Sequence, residues 1–338
     1  MEKKKLIDNN GVLSFTGATY KDEILYQKED IKNKRLQIKE WDYLSFINDK
    51  NGIFLTYANN TYMGLISATF MDFVKKEYIT KTYMLPFTFS KMKLPSSSYD
   101  GDFVFKNKNI FISMKNRNSK REIIFNLENF ILNTPLTTSF TIDELTKNNS
   151  ITLVSKFKKE NTFYYNRKVN LLEAKGNIEI NKANFPFVGL GGLDWGRGVW
   201  PYKSAWWWSS LSTKDNEGYK GFNLGYGSFI YEDKKTSENI VFFNNKSYKL
   251  GKVEFILEKL KNGKYNYMAP WIIKDDENRV NLTFTPLLNR HDDTDFLLLA
   301  SKQNQVFGYF NGSIKGDEKT TINFKNALGF MEHVINKW

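Results

Sequence analysis

Residues 189–227 read GLGGLDWGRGVWPYKSAWWWSSLSTKDNEGYKGFNLGYG and form the most unusual part of this chain. They hold five of the eight tryptophans and nine of the twenty-one glycines. Glycine weakens regular structure, whereas tryptophan needs a large, shaped volume around it. The combination predicts an aromatic wall with space beside it, and we expect the specific chemistry of the protein to lie here.

Strand periodicity divides the aromatic side chains of this segment between two faces. Trp206 and Trp208 share one face of a strand, and Trp207 lies on the other. One face of the next candidate strand consists of Gly221, Asn223, Gly225 and Gly227. Its opposite face consists of Phe222, Leu224 and Tyr226. Because the glycine face has few side chains, it can hold either a neighbouring indole of the core or a bound ligand.

Asp194 and Arg197 are three residues apart in glycine-rich sequence. One interpretation is a carboxylate–guanidinium pair that locks a turn. The other places Asp194 in an apolar pocket, where desolvation raises the pKa of a carboxyl group and lets it donate a proton near neutral pH. The two roles conflict, because a neighbouring guanidinium keeps a carboxylate ionised.

The composition excludes several classes of site. The absence of cysteine rules out disulfides, thiol nucleophiles and thiolate metal centres, and agrees with a cytoplasmic location. The net charge of +12 comes from lysines scattered along the chain, so we expect no nucleic-acid partner. We also expect no secretion signal and no membrane span, because no apolar run is long enough.

Candidate metal and nucleotide sites are weak. The glycines at 189, 191 and 192 lack the spacing of a nucleotide-binding loop. His291 lies in residues 289–295 (NRHDDTD), which we interpret as a solvated turn, because the segment lacks the glycine and the terminal glutamate of a calcium loop. Glu332 and His333 lie on opposite faces if residues 329–338 form a strand. We expect no metal and no cofactor.

Strand-like alternation recurs along the whole chain. The clearest runs are residues 53–57, 83–89, 103–105, 110–114 and 151–157, and Pro86 places the second at a sheet edge or bulge. Turn residues predict hairpins at 107–109, 244–246, 261–264 and 275–278, with residues 267–273 pairing with 279–285. The best helix candidate is residues 141–147, with Thr141 as the cap.

These signals predict an all-β protein built of sandwiches or barrels with few short helices. The length favours two such units. We expect the junction within residues 161–182.

The ordered series GLDWGRGVWPYKSAWWW, GFNLGYG, FTPLLNRHDD, QVFGYFNG and GFMEHVINKW resembles the bacterial domain of unknown function family 2804 over most of the chain. That family looks like a distant relative of the calycins, or lipocalin-like proteins, which include hydroxyneurosporene synthase and tocopherol cyclase. The resemblance implies two successive lipocalin-like β-barrel domains, residues 1–170 and 171–338, with an apolar ligand site between or within them.

The sequence is compatible with three functions. The first is an enzyme, such as a hydratase, cyclase or isomerase, that acts on an isoprenoid or lipid-like molecule with Asp194 as its acid. The second is a non-catalytic protein that binds an apolar small molecule, and the third is carbohydrate binding through Trp206 and Trp208. The candidate ligand-binding residues are Trp195, Arg197, Trp200, Tyr202, Trp206, Trp208, Asn223, Tyr226, Arg290 and Glu332.

Overall fold

The computed structural model describes residues 3–32, 34–88, 92–228, 237–296 and 299–337. Antiparallel β-sheet makes up almost all of the regular structure. The only helices among the described residues are two 3-10 turns, Lys28–Asp30 and Arg35–Gln37. The prediction of an all-β fold with few short helices is therefore confirmed.

The first sheet has twelve strands and curls into a half-barrel. Strands are numbered β1 to β23 in chain order, and β1 (Lys4–Lys5) and β3 (Ile24–Leu25) form a separate parallel pair. The first sheet consists of β2 (Gly17–Thr19), β4 (Ile38–Ile47), β5 (Asn51–Asn59), β6 (Met63–Asp72), β7 (Glu77–Pro86), β8 (Phe103–Lys106), β9 (Ile110–Arg117), β10 (Lys120–Ile131), β11 (Thr134–Glu144), β12 (Ser150–Lys156), β13 (Phe163–Ile180) and β14 (Ala183–Val199).

The order of the first sheet is β7-β6-β5-β4-β14-β13-β11-β10-β9-β8, with β12 and β2 attached beside β13. The sheet curls far enough for the Tyr83 hydroxyl of β7 to donate to the Glu128 carbonyl of β10. Alternate side chains point inwards and form one large core that includes Phe46, Tyr57 and Phe125.

The second sheet has nine strands in the order β18-β17-β16-β15-β23-β22-β21-β20-β19. Its separate core includes Trp271, Phe284 and Phe310. The strands are β15 (Lys203–Asp215), β16 (Gly218–Gly227), β17 (Ile240–Phe243), β18 (Lys246–Lys249), β19 (Val253–Ile256), β20 (Trp271–Asp275), β21 (Val280–Phe296), β22 (Leu299–Lys315) and β23 (Thr321–Lys337).

The tryptophan- and glycine-rich segment is divided between the two sheets, because the chain leaves the first after Val199 and enters the second at Lys203. The boundary expected between residues 170 and 171 falls within β13, at a bulge where this strand changes partner from β12 to β11. The Asn170 side chain at this bulge donates to Ser210 Oγ and to the Phe222 carbonyl of the second sheet. The bulge therefore joins the two sheets.

Most local predictions for strands and turns are confirmed. Each of the five predicted runs contributes to a strand, β7 is an edge strand and Pro86 is its last residue, while Phe89 lies outside the described residues. The turns at 107–109, 244–246 and 275–278 each connect paired strands, and β20 pairs with β21 as expected. A bridge between Lys259 and Tyr265 encloses the turn at 261–264.

The helix predicted at residues 141–147 is wrong. Thr141 to Glu144 complete β11 and pair with β13, and Thr141 and Ile142 also pair with β10. Phe140 and Ile142 point into the first core, so strand pairing and burial override the local capping signal.

Glycine is required at position 191, where β14 pairs with β4. A Cβ atom on Gly191 would lie 1.6 Å from the Ser45 carbonyl oxygen, which belongs to the backbone and cannot move aside. We therefore expect Gly191→Ala to lower the free energy of unfolding by about 2 kcal/mol. Chemical denaturation would measure this, with Asn184→Ala at an exposed position of the same strand as the control. Equal stability of the two variants would contradict the prediction.

Candidate functional site at the seam between the sheets

The two sheets pack against each other along an aromatic seam. The first sheet contributes Tyr43 and Phe54, and the second contributes Trp208, Phe307 and Phe330. The ring centroids of Phe54 and Phe307 are 4.9 Å apart, and those of Tyr43 and Trp208 are 6.0 Å apart. The seam is therefore a packed contact as well as the place where the predicted site residues meet.

The predicted division of the three consecutive tryptophans is confirmed. Trp206 and Trp208 face the seam, whereas Trp207 packs against the second core. The indole N–H of Trp208 donates to Asn223 Oδ1 at 2.7 Å. Asn223 belongs to the glycine-spaced face of β16, whose Gly225 and Gly227 pair with Trp208 and Trp206. The alternation therefore places Trp206 and Trp208 beside glycines of β16, as predicted.

Asp194 faces the seam and is paired with a lysine. Its Oδ2 lies 2.8 Å from Lys168 Nζ, and its Oδ1 accepts a hydrogen bond from Asn166. The same ammonium group lies 4.0 Å from the ring centroid of Trp208 and 3.9 Å from Glu238 Oε2. Lys168 therefore links the two sheets by an ion pair and a cation–π contact.

The pairing of Asp194 with Arg197 is wrong. Residues three apart in a strand point to opposite faces, and β14 is a regular strand here rather than a turn. Arg197 and Trp195 point into the first core, where Arg197 Nη1 lies 3.0 Å from Asp42 Oδ1. These two predicted ligand residues thus lie on the far side of β14 from the tryptophans of the seam.

Glu332 is the best-placed carboxyl group on the seam. Its Oε1 accepts from Trp206 Nε1 at 3.0 Å, and its Oε2 accepts from Gln303 Nε2 at 2.9 Å and Gln305 Nε2 at 3.1 Å. Gln305 also donates to the Tyr43 hydroxyl of the first sheet at 2.9 Å. Burial raises the pKa of Glu332, against the effect of these donors.

Two further charged groups complete the site. Glu238 is buried, and desolvation raises its pKa although Lys168 opposes this. Arg290 Nη1 donates to Thr69 Oγ1 at 3.0 Å, and its positive charge lowers the pKa of Glu332. The seam therefore gathers three carboxyl groups, one lysine and one arginine beside indole rings.

The remaining predicted site residues lie elsewhere. Trp200 is buried with Phe157 and Tyr164 and contacts Trp206 edge to face at 5.6 Å. Tyr202 is 40% exposed. Tyr226 lies on the opposite face of β16 from Asn223 and stacks beside Trp207. Of the predicted set, Trp206, Trp208, Asn223, Arg290, Glu332 and Asp194 come together.

Two small pockets among the described residues border the seam. One is lined by Ser45, Gly191, Ser210 and Phe330 and has a volume of about 10 Å³. The other borders Lys168 and Asp194. The first has room for about one water molecule. An apolar ligand of ordinary size would have to move side chains of the seam in order to enter.

Residues 289–295 continue strand β21 and do not form the solvated turn that we expected. Pairing with β22 extends the strand through this polar sequence. Within the described residues, no group of three His, Cys, Asp or Glu side chains is arranged to hold a metal ion. No helix in the described part of the chain is long and apolar enough to cross a membrane.

The family model described as "Domain of unknown function (DUF2804)" matches residues 1–338. The chain belongs to this family. No curated protein matches the sequence.

Two solved structures resemble the DUF2804 chain. One is a Nitrosomonas europaea protein provisionally named AttH, with a TM-score of 0.53, 12% identity, and coverage of 88% of this chain and 91% of that chain. The other is kievitone hydratase from Nectria haematococca, with a TM-score of 0.49, 12% identity, and coverage of 96% of both chains. At this identity the first supports the lipocalin-like fold alone, and the second is too distant to support any argument.

Sequence reasoning missed several residues of the site. Lys168 and Glu238 were not singled out, nor were Tyr43, Gln303 and Gln305. Lys168 had a detectable signal, because it is a charged residue inside an otherwise strand-like run that includes Val169. The glutamines had none, because isolated polar residues in a strand normally face solvent.

A second aromatic cluster lies on the other side of the second sheet. Trp207 stacks on His333 with ring centroids 3.7 Å apart and an interplanar angle of 3°. Tyr267 Oη lies 2.7 Å from His333 Nδ1. Burial lowers the pKa of His333 to about 4 and raises that of Tyr267 to about 12, so both are neutral near pH 7.

Lys168→Met tests the link across the seam in this DUF2804 protein. The change leaves Asp194 and Glu238 buried without their cation, so we expect the free energy of unfolding to fall by about 3 kcal/mol or more. Chemical denaturation would measure the loss, and adding Asp194→Asn to the same protein should recover part of it.

Lys175→Met is the matched control. Lys175 lies on the same strand and pairs with Glu173, but its side chain is 57% exposed. The control should change stability by less than about 0.5 kcal/mol. If Lys168→Met were as mild as Lys175→Met, the seam would not depend on this ion pair.

His333 should make stability depend on pH. Its pKa is about 4 in the folded protein and 6.5 ordinarily, so in this window the unfolded chain binds the proton and the folded chain does not. The free energy of unfolding should fall by about 2 kcal/mol as the pH is lowered from about 7 to about 5. Denaturation of wild type and His333→Phe at both pH values isolates the effect. An identical pH dependence in the two proteins would refute it.

Proposed function

We propose that this protein binds an apolar small molecule at the seam and that Glu332 acts on it as a Brønsted acid. The supporting observation is a buried carboxyl group that joins Trp206 to Gln303 and Gln305. Titratable groups with a pKa perturbed by burial are concentrated at functional sites.

Glu332 is a better acid candidate than Asp194. Lys168 lies 2.8 Å from Asp194, and a carboxylate in an ion pair is poorly suited to donate a proton. Glu332 has no such close cation among the described ion pairs, and burial raises its pKa. We therefore assign the role of proton donor to Glu332 and a positioning role to Asp194 and Lys168.

The indole of Trp206 is the surface on which the ligand would rest. Trp206 is half-buried, whereas Trp208 is 6% exposed and its ring already has Lys168 over it. A ligand can therefore reach Trp206 with less rearrangement than Trp208. This favours an alkene-bearing molecule, because an indole face stabilises an adjacent positive charge.

The proposed reaction is an alkene hydration. The protonated Glu332 transfers its proton to one alkene carbon, and the π electron pair forms the new C–H bond. The carbocation at the other carbon is stabilised by the Trp206 face and the Glu332 carboxylate. A water oxygen then bonds to that carbon, and the proton it loses returns to Glu332.

A non-catalytic binding role is the second candidate. It is favoured by the tight packing of the seam, where the cavity beside Ser45 and Gly191 has a volume of about 10 Å³. Such packing suits slow capture and retention better than repeated turnover. Sugar stacking is less well supported, because Trp208 lacks the exposed indole platform that it needs.

Retinol, an isoprenoid polyene, is a suitable probe for both roles. Binding would quench tryptophan fluorescence, and hydration would shorten the conjugated system and add the mass of one water molecule. We expect Glu332→Gln to bind retinol as the wild type does but to lower turnover at least about a hundredfold.

Asp194→Asn is the comparison variant: because Asp194 has a positioning role and Glu332 donates the proton, it should lower turnover much less than Glu332→Gln does. The opposite pattern, with Asp194→Asn inactive and Glu332→Gln active, would overturn the assignment of the acid. Binding by the wild type without conversion would favour the non-catalytic role. If Trp206→Leu kept both binding and turnover, the ligand would bind away from the seam.

A further inference from the structure

Three arginines are buried inside the first half-barrel, on the opposite side of β14 from the seam. Arg121, Arg167 and Arg197 are 1%, 2% and 0% exposed. The charges of Arg121 and Arg197 both lower the pKa of Tyr57, and the charges of Arg167 and Arg197 both lower the pKa of Tyr165. They form one cluster, which the seam mechanism does not use.

The cluster contains more positive than negative charge. Arg197 pairs with Asp42, Arg167 and Arg121 both approach Glu144, and Lys28 pairs with Glu40. These four cations face three carboxylates, although the side chain of Lys28 is 28% exposed and Arg197 Nε also lies 4.0 Å from Glu40 Oε1. Asp22, whose charge also reaches Tyr99 and Tyr165, is already paired with Lys3. A buried excess positive charge is costly unless an anion compensates it.

Two guanidinium nitrogens of the cluster have no hydrogen-bond partner among the described residues. They are Arg167 Nη1 and Arg197 Nε, and both are buried. Burial lowers the pKa of Arg121 to about 10, and the neighbouring positive charge of Arg167 adds to the effect. Buried donors of this kind are normally satisfied in a folded protein, so the cluster has capacity for an additional acceptor.

A non-repetitive segment covers the cluster. We call residues 92–101, between β7 and β8, the strap. Arg197 Nη2 donates to its Pro95 carbonyl at 2.8 Å, and Arg121 Nη2 donates to its Ser98 carbonyl at 2.7 Å. The Arg167 guanidinium lies 3.6 Å from the ring centroid of its Tyr99. The strap thus provides the arginines with neutral carbonyl acceptors and no negative charge.

We propose that this arginine cluster is a binding site for the anionic head group of an apolar-tailed molecule, a carboxylate or a phosphate, and that the strap occupies it until the ligand displaces it. Planar guanidinium groups bind carboxylate and phosphate oxygens in pairs. The adjoining core of Phe103, Phe125 and Met114 would receive the tail. The site is independent of the seam.

The strap is suited to displacement. Residues 92–98 belong to no strand, and the side chains of Asn59, Arg197 and Arg121 hold their carbonyls, whereas Tyr99 and Gly101 form backbone hydrogen bonds with Ser119 and Asn116. The part from residue 92 to residue 98 can therefore move without breaking the ladder of the first sheet. Segments held mainly by side chains open at a lower free-energy cost than sheet strands.

The test is titration with laurate, dodecyl phosphate and neutral dodecanol below their micellar concentrations, followed by tryptophan fluorescence and calorimetry. We expect at least one anion to bind and dodecanol to bind at least about tenfold more weakly. The stronger of the two anions identifies the head group. Arg167→Met should weaken anion binding about tenfold.

Tyr99→Ala provides the decisive comparison, because it removes the ring that covers Arg167. It should strengthen anion binding several-fold even though it destabilises the fold, whereas Tyr99→Phe, which keeps the ring, should bind as the wild type does. If Arg167→Met fails to fold, Arg167→Lys replaces it and should still weaken binding. Equal binding of dodecanol, or no gain in Tyr99→Ala, would overturn the proposal. So would a lack of anion binding in both the wild type and Tyr99→Ala.

Discussion

The packing of the two sheets depends on the contacts of one buried group, the ammonium of Lys168. It belongs to β13 of the first sheet, pairs with Asp194 of the same sheet, and lies over the Trp208 ring of the second at 4.0 Å. A desolvated cation is stable only with close compensation, so this one group requires a carboxylate on one side and an indole face on the other. These contacts hold the second sheet against the first together with the aromatic seam and the hydrogen bonds of Asn170.

This arrangement also explains the glycines of the opening segment. β14 and β16 each contribute glycines at the seam, where a side chain would collide with a backbone carbonyl or with Trp206. The indoles occupy the space that the glycines leave. A composition that suggests an open ligand wall is therefore also what two closely packed sheets require.

The two faces of β14 separate two kinds of buried charge. Asp194 and Lys168 lie toward the seam with Glu332 and Glu238, where carboxyl groups predominate. Arg197 lies toward the first core, where guanidinium groups predominate. Because successive residues of a strand point to opposite sides, a single glycine-rich strand separates the proposed proton-donating site from the proposed anion-binding site.

The sequence by itself determined the all-β class, the paired hairpins and the faces of the tryptophans, because these follow from the two-residue period of a strand. The same period forbids the Asp194–Arg197 pair once the segment is known to be a strand rather than a turn. Only the tertiary structure decided which side chains of the site contact one another. Trp206 meets Glu332 across 126 positions because β15 and β23 are neighbours, and Lys168 meets Glu238 because the sheets pack face to face. Such contacts depend on sheet order and packing, which local patterns of residues do not encode.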